Sequence, residues 1–160
     1  MRLCLQCNTT KYTKRNCSCS VCGNLMIQVD GRPLRKVVES LAQADLRIAF
    51  ATYDAYETDN ICVVELAIGF SEAYDKFIFN ELPEHFEFIS DKYGPSHYTL
   101  NYVLNHLGGP MSMVMFDYCN HPSNCASAQV KLKEVVSQLY DWCVDIKDNR
   151  WPVLKLGGYL

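Results

Sequence analysis

Cys4-Leu5-Gln6-Cys7 and Cys19-Ser20-Val21-Cys22-Gly23 are the stretches whose reading decides how this chain begins to fold. Each places two thiols across a tight turn, and eleven residues separate the pairs. Two such turns supply four corners of a tetrahedron, the arrangement zinc favours with thiolate ligands. In a turn of this kind backbone N–H groups point at the sulfurs, and the residue that follows commonly needs a positive φ. Gly23 follows the second pair and Asn8 the first, and these residue types tolerate that conformation best. This detail selects Cys4, Cys7, Cys19 and Cys22 over any set that uses Cys17, which becomes a spare thiol or an occasional substitute ligand. The set is full and leaves no position for water, so the expected Zn²⁺ is structural.

Nine cysteines would otherwise suggest disulfides. The count is odd, however, and five of the nine fall within residues 4–22. In a reducing compartment such close pairs are metal ligands or redox groups more often than bridges. A thioredoxin-like redox reading needs one pair opening a helix inside a strand–helix–strand unit, and neither pair has that setting.

The pattern over residues 3–24 resembles the zinc-ribbon family, in particular the short ribbons found at protein termini. In that family the tip between the knuckles often touches nucleic acid or a partner protein. Here the tip reads Thr9-Thr10-Lys11-Tyr12-Thr13-Lys14-Arg15-Asn16. The resemblance therefore implies contact through Lys11, Tyr12, Lys14 and Arg15, with cations on phosphates and Tyr12 on a base. The same cations also balance the charge of four metal-bound thiolates.

Beyond Gly23 the 160-residue chain reads as an α+β body. Its 49% hydrophobic and 21% charged composition suffices for a packed core. A short strand over 25–29 and a turn at Asp30-Gly31-Arg32-Pro33 precede an amphipathic helix over 33–44, with Leu34, Val37, Val38 and Leu41 at helical spacing. Strands are expected at 46–53, 61–68, 74–79 and 86–89, in an antiparallel meander after that helix, with another at 111–118. A second helix is expected from Pro95 to about Leu107. A third, N-capped by Ser123, carries the stripe Val130, Leu132, Val135, Val136, Leu139, Trp142, Cys143 and Ile146. The expected architecture is α+β: an N-terminal zinc ribbon over 1–28, then, over 29–160, a mainly antiparallel sheet packed with about three helices. The order of elements is similar to that of small uncharacterised bacterial and phage proteins. Many of those carry a Cys-Ser-Gly-His-like stretch where this chain has Ala51-Thr52-Tyr53-Asp54, so no role transfers from it.

Catalytic constellations are not evident. Cys119, His121 and Cys125 share one irregular loop without an orienting partner. His97 and His106 stand nine residues apart with no acid between them, and His85 lies among acids. Asp54, Glu57 and Asp59 crowd one hairpin turn, but the glycines of a calcium loop are missing. No phosphate-binding, dinucleotide or zinc-hydrolase motif occurs.

Charge is unevenly spread. Residues 1–24 carry Arg2, Lys11, Lys14 and Arg15 and no acid, whereas residues 54–91 carry ten acids against Lys76 alone. Aromatics interleave those acids, as on a surface that steers a basic partner, with Asp54, Glu57, Asp59, Glu84 and Glu87 its candidates. No apolar run approaches the ~20 residues of a membrane span, and Met1-Arg2-Leu3-Cys4 does not open a secretory signal. The sequence thus points to a cytoplasmic, zinc-stabilised interaction protein that works on a protein partner as adaptor, regulator or inhibitor. The alternatives are nucleic-acid binding through the ribbon tip and, behind it, an enzyme with an unrecognised site.

Overall fold

The structure, a computed structural model, describes residues 1–7, 9–90, 111–124 and 126–150. Its core element is β4 (Ile48–Glu57) paired antiparallel with β5 (Cys62–Phe70). Around this pair one seven-stranded sheet forms in the order β2-β1-β3-β4-β5-β7-β6. The outer strands are β1 (Arg2–Cys4), β2 (Thr9–Lys11), β3 (Ile27–Val29), β6 (Phe86–Ser90) and β7 (Ser112–Asn120). All neighbours are antiparallel except β3 and β4, which run parallel through Gln28↔Phe50 and Val29↔Ala51. Parallel strands need a crossover, and α1 (Pro33–Gln43) provides it. The cysteine-bearing hairpin is therefore hydrogen-bonded into the same sheet as the body of the chain.

The strands are not a simple meander. β7 inserts between β5 and β6, because its nine residues pair along the whole of β5 from Cys62↔Asn120 to Phe70↔Ser112. The five residues of β6 take the margin.

Both helices lie on one face. Leu34, Val37, Val38 and Leu41 of α1 and Leu132, Val135, Leu139, Trp142 and Cys143 of α2 (Ala128–Asp145) pack against Val64, Leu66, Ile68, Val114 and Phe116. Trp142 is core, as its spacing predicts, and its Nε1 donates to Asn80 O at 3.2 Å. On the other face Phe50, Ile89 and Met113 form a second buried cluster. A bulge between Ile48 and Phe50 turns Ile48 to the helices and Phe50 away from them.

Several expectations are corrected. Among the described residues there are two α-helices rather than about three; the expected helix from Pro95 to about Leu107 lies outside the described residues. Residues 74–79 are not a strand. Lys76–Phe79 is a 3₁₀ turn, started by Asp75 accepting from Phe77 N at 3.1 Å. The hydroxyls of Ser112 and Ser90 hold Glu72 O and Tyr74 O at 2.6 and 3.0 Å, so this backbone is bonded outside any ladder. Ser127, not Ser123, caps α2, accepting from Val130 N at 3.0 Å, because Pro122–Asn124 is itself a 3₁₀ turn. Val130 is 53% exposed and leaves the apolar stripe.

Candidate metal centre

The two cysteine turns are built differently. Cys4 closes β1 opposite Thr9 of β2, which puts Cys7 in the turn that joins the two strands. The second turn is clamped at its base by the bridge Ser18↔Leu25 and by Cys19 N donating to Asn24 O at 2.8 Å. Gly23 N donates to Cys19 O at 2.9 Å, and Gly23 takes φ 77°, the left-handed conformation its position calls for. Asn24 Nδ2 donates to Gln6 Oε1 and ties one turn to the other.

This scaffold gathers the Sγ atoms of Cys4, Cys7, Cys19 and Cys22 within 4.8 Å of one another. Among the described residues it is the one such group of three or more ligating side chains. Cys4 and Cys22 are 3.6 Å apart. Sulfurs each ~2.3 Å from a common tetrahedral ion stand about 3.8 Å apart, so this pair is already at coordination spacing. Cys4 and Cys19 are buried, Cys7 and Cys22 partly exposed. Cys17 stays outside the set, its thiol directed at Met26 Sδ at 3.7 Å.

Electrostatics within the cluster is uneven. The Thr9 hydroxyl, 3.3 Å from Cys19 Sγ, and then the backbone N–H groups of Cys22 and Val21 pull the Cys19 thiol down to about 6. Hydrogen bonding to the charged form is what lowers it. Cys7 is pushed up to about 12, first by the hydrogen bond it shares with Cys22 and then by burial and the thiols of Cys19 and Cys4. For Cys4 the Cys7 N–H acts to lower the value, but burial and its bonds to Cys22 and Cys19 outweigh it and leave it raised. Four thiolates cannot all ionise at this spacing without a cation among them. The donor set could hold a thiophilic metal ion, with every ligand supplied by the chain.

The tip residues Lys11, Tyr12, Lys14 and Arg15 are all exposed, Lys11 at the end of β2 and the others just beyond it. Tyr12 is 76% exposed. Arg2 Nη2 donates to Lys14 O at 3.3 Å, and Thr13 Oγ1 accepts from Arg15 N at 3.1 Å.

The acidic candidates do not form one cluster. Asp54 on β4 faces Glu65 on β5, and Glu65 faces Asp117 on β7, so three exposed carboxylates stand side by side across three strands. Burial, then Asp117 and Asp54, raise the Glu65 carboxyl. Glu57 belongs to the fold: its Oε1 accepts from Ala128 N at 2.6 Å, at the start of α2. Asp59 is exposed in the β4–β5 turn. Glu84 lies 3.7 Å from His85, and Glu87 is paired across β6–β7 with Met115.

Cys119 is exposed at the end of β7, while the His121 ring is held by Ser123 Oγ at 2.8 Å. Cys125, His97 and His106 lie outside the described residues. Two features escape a linear reading. Asp117 sits in an alternating strand, and only register shows that it faces Glu65. Arg32, Arg35 and Lys36 look like ordinary helix-surface charges until the hairpin is placed beside them. No protein-family model, no curated protein and no solved structure matches the chain.

Proposed function

We propose that this chain is a zinc-stabilised macromolecular-interaction protein. Zn²⁺ on Cys4, Cys7, Cys19 and Cys22 secures a ribbon over residues 1–28, and the α+β body over 29–160 presents the binding surface. The outward row Asp54, Glu65 and Asp117 meets a basic protein partner, which the chain serves as adaptor, regulator or inhibitor. A reducing cytoplasm suits its free thiols. The observation that carries the reading is the four-sulfur cluster, a ligand set that organises backbone and leaves no coordination position for substrate. Among the described residues no helix is long and apolar enough to cross a membrane.

The test has two parts. Metal analysis of the reduced protein should find one zinc per chain, lost in Cys19→Ser. Affinity capture should then recover a partner whose binding weakens in Asp54→Asn/Glu65→Gln/Asp117→Asn. Turnover of a small substrate, with no partner and no zinc, overturns the proposal.

A second reading is nucleic-acid binding through the hairpin. It is favoured by the exposed ring of Tyr12 set among Lys11, Lys14 and Arg15.

A further inference from the structure

We infer that the cleft between the Tyr12 segment and the first turn of α1 binds single-stranded nucleic acid, with phosphates on Arg32 and Lys36 and a base on Tyr12. The inference rests on the second reading above and extends it from the hairpin to a groove shared with the body of the chain. The cleft measures 410 Å³ and is lined by Met1, Tyr12, Arg32, Arg35, Lys36 and Glu39. That volume suits a nucleotide-sized group rather than a protein element.

The fold does not account for its charges. Helices favour acids in the first turn, yet α1 has none there. Instead Arg32 precedes it, and Arg35 and Lys36 follow Pro33 and Leu34. Arg35 is held by Glu39 at 2.7 Å, which neutralises both. Arg32 and Lys36 are exposed and make no ion pair among the described residues. Tyr12, 76% exposed, is an aromatic ring the core does not use. Two uncompensated cations beside an open ring match a phosphate backbone carrying unpaired bases, because stacking on the ring requires a base free of its complement. Asp54, Glu65 and Asp117 do not line the cleft, and its one carboxylate, Glu39, is paired with Arg35.

The test is fluorescence anisotropy of the full chain with labelled mixed-sequence DNA and RNA strands of about 20 nucleotides, with the same DNA as duplex for comparison. Circular dichroism checks the fold of each variant. The strand should bind more tightly than the duplex. Arg32→Ala/Lys36→Ala should weaken binding and flatten the plot of log affinity against log salt by about 1.4, roughly 0.7 for each lost phosphate contact. Tyr12→Ala should weaken it about fivefold or more, and Tyr12→Phe should restore it. Wild-type affinity and slope in Arg32→Ala/Lys36→Ala, with binding lost in Lys11→Ala/Lys14→Ala/Arg15→Ala, would overturn the cleft and leave the hairpin reading standing. Failure of every oligonucleotide overturns both. Salt-sensitive self-association through these cations without oligonucleotide binding also overturns the inference, assigning the cleft to a second copy.

Discussion

At Gly69 a side chain is excluded by a neighbour: a Cβ there would lie 2.3 Å from Cε1 of Phe50. Phe50 is buried with Ile89 and Met113, so an added methyl forces a core ring out of its packing. Gly69→Ala should therefore cost about 1–3 kcal/mol, the usual penalty of overpacking. Urea unfolding should show a lower midpoint at unchanged slope; an unchanged midpoint contradicts the packing described. Glu57 is a second such residue. Its carboxylate serves the first N–H of α2, so Glu57→Ala should destabilise by about 1 kcal/mol and Glu57→Gln by less, since the amide oxygen still accepts. The sequence shows Gly23 plainly, because a left-handed knuckle residue is a local requirement. It hides Glu57, whose partner is Ala128, and it points to Ser123 as the cap of α2 when Ser127, one helical turn on, makes the bond.

Between elements, the row Asp54–Glu65–Asp117 places like charges directly opposite one another, which destabilises an antiparallel pair by roughly 0.2–1 kcal/mol. The Glu65 carboxyl is raised, so the folded state holds its proton more firmly than the unfolded chain. This group's contribution to stability consequently improves as pH falls through its folded value and is unfavourable at neutral pH. Glu65→Gln should stabilise at pH 7 and low salt and have little effect near pH 4, read from thermal melts at both. Equal effects at the two pH values contradict the assignment. The hairpin strands join the rest through two residue pairs of β3 and β4 and through buried Leu3. If the four cysteines hold the proposed metal ion, removing it with a chelator should speed hydrogen exchange in β1, β2 and β3 while β4, β5 and β7 keep their protection. Strands β3 to β7 and the two described helices were legible from period and turn chemistry, whereas β1 and β2 were not foreseen and 74–79 was expected as a strand. The strand order was not legible, since placing β7 beside β5 depends on pairing between segments far apart in sequence.

For the molecule as a whole, metal loading is a proton exchange. Cys7 and Cys4 are raised and hold protons at neutral pH, while Cys19, near 6, is ionised. A metal ion entering the cluster must displace the protons it meets, so the affinity for added Zn²⁺ should rise steeply from pH 6 to 8, with protons released on binding. Competition with a chromogenic chelator at several pH values checks this; a flat profile would contradict the assigned ligands. The gathering of Cys4, Cys7, Cys19 and Cys22 was readable because their spacing is a local chemical signal. The cleft was not, because Tyr12 and Lys36 meet only after β3 and α1 carry the chain back past the hairpin. The sheet's two margins have a last consequence. β2 is three residues long, exposed at Thr10 and Lys11, and ends in that lysine. A border so short and charged is a poor template for another chain's backbone, which guards the fold against growing into fibrils from that side.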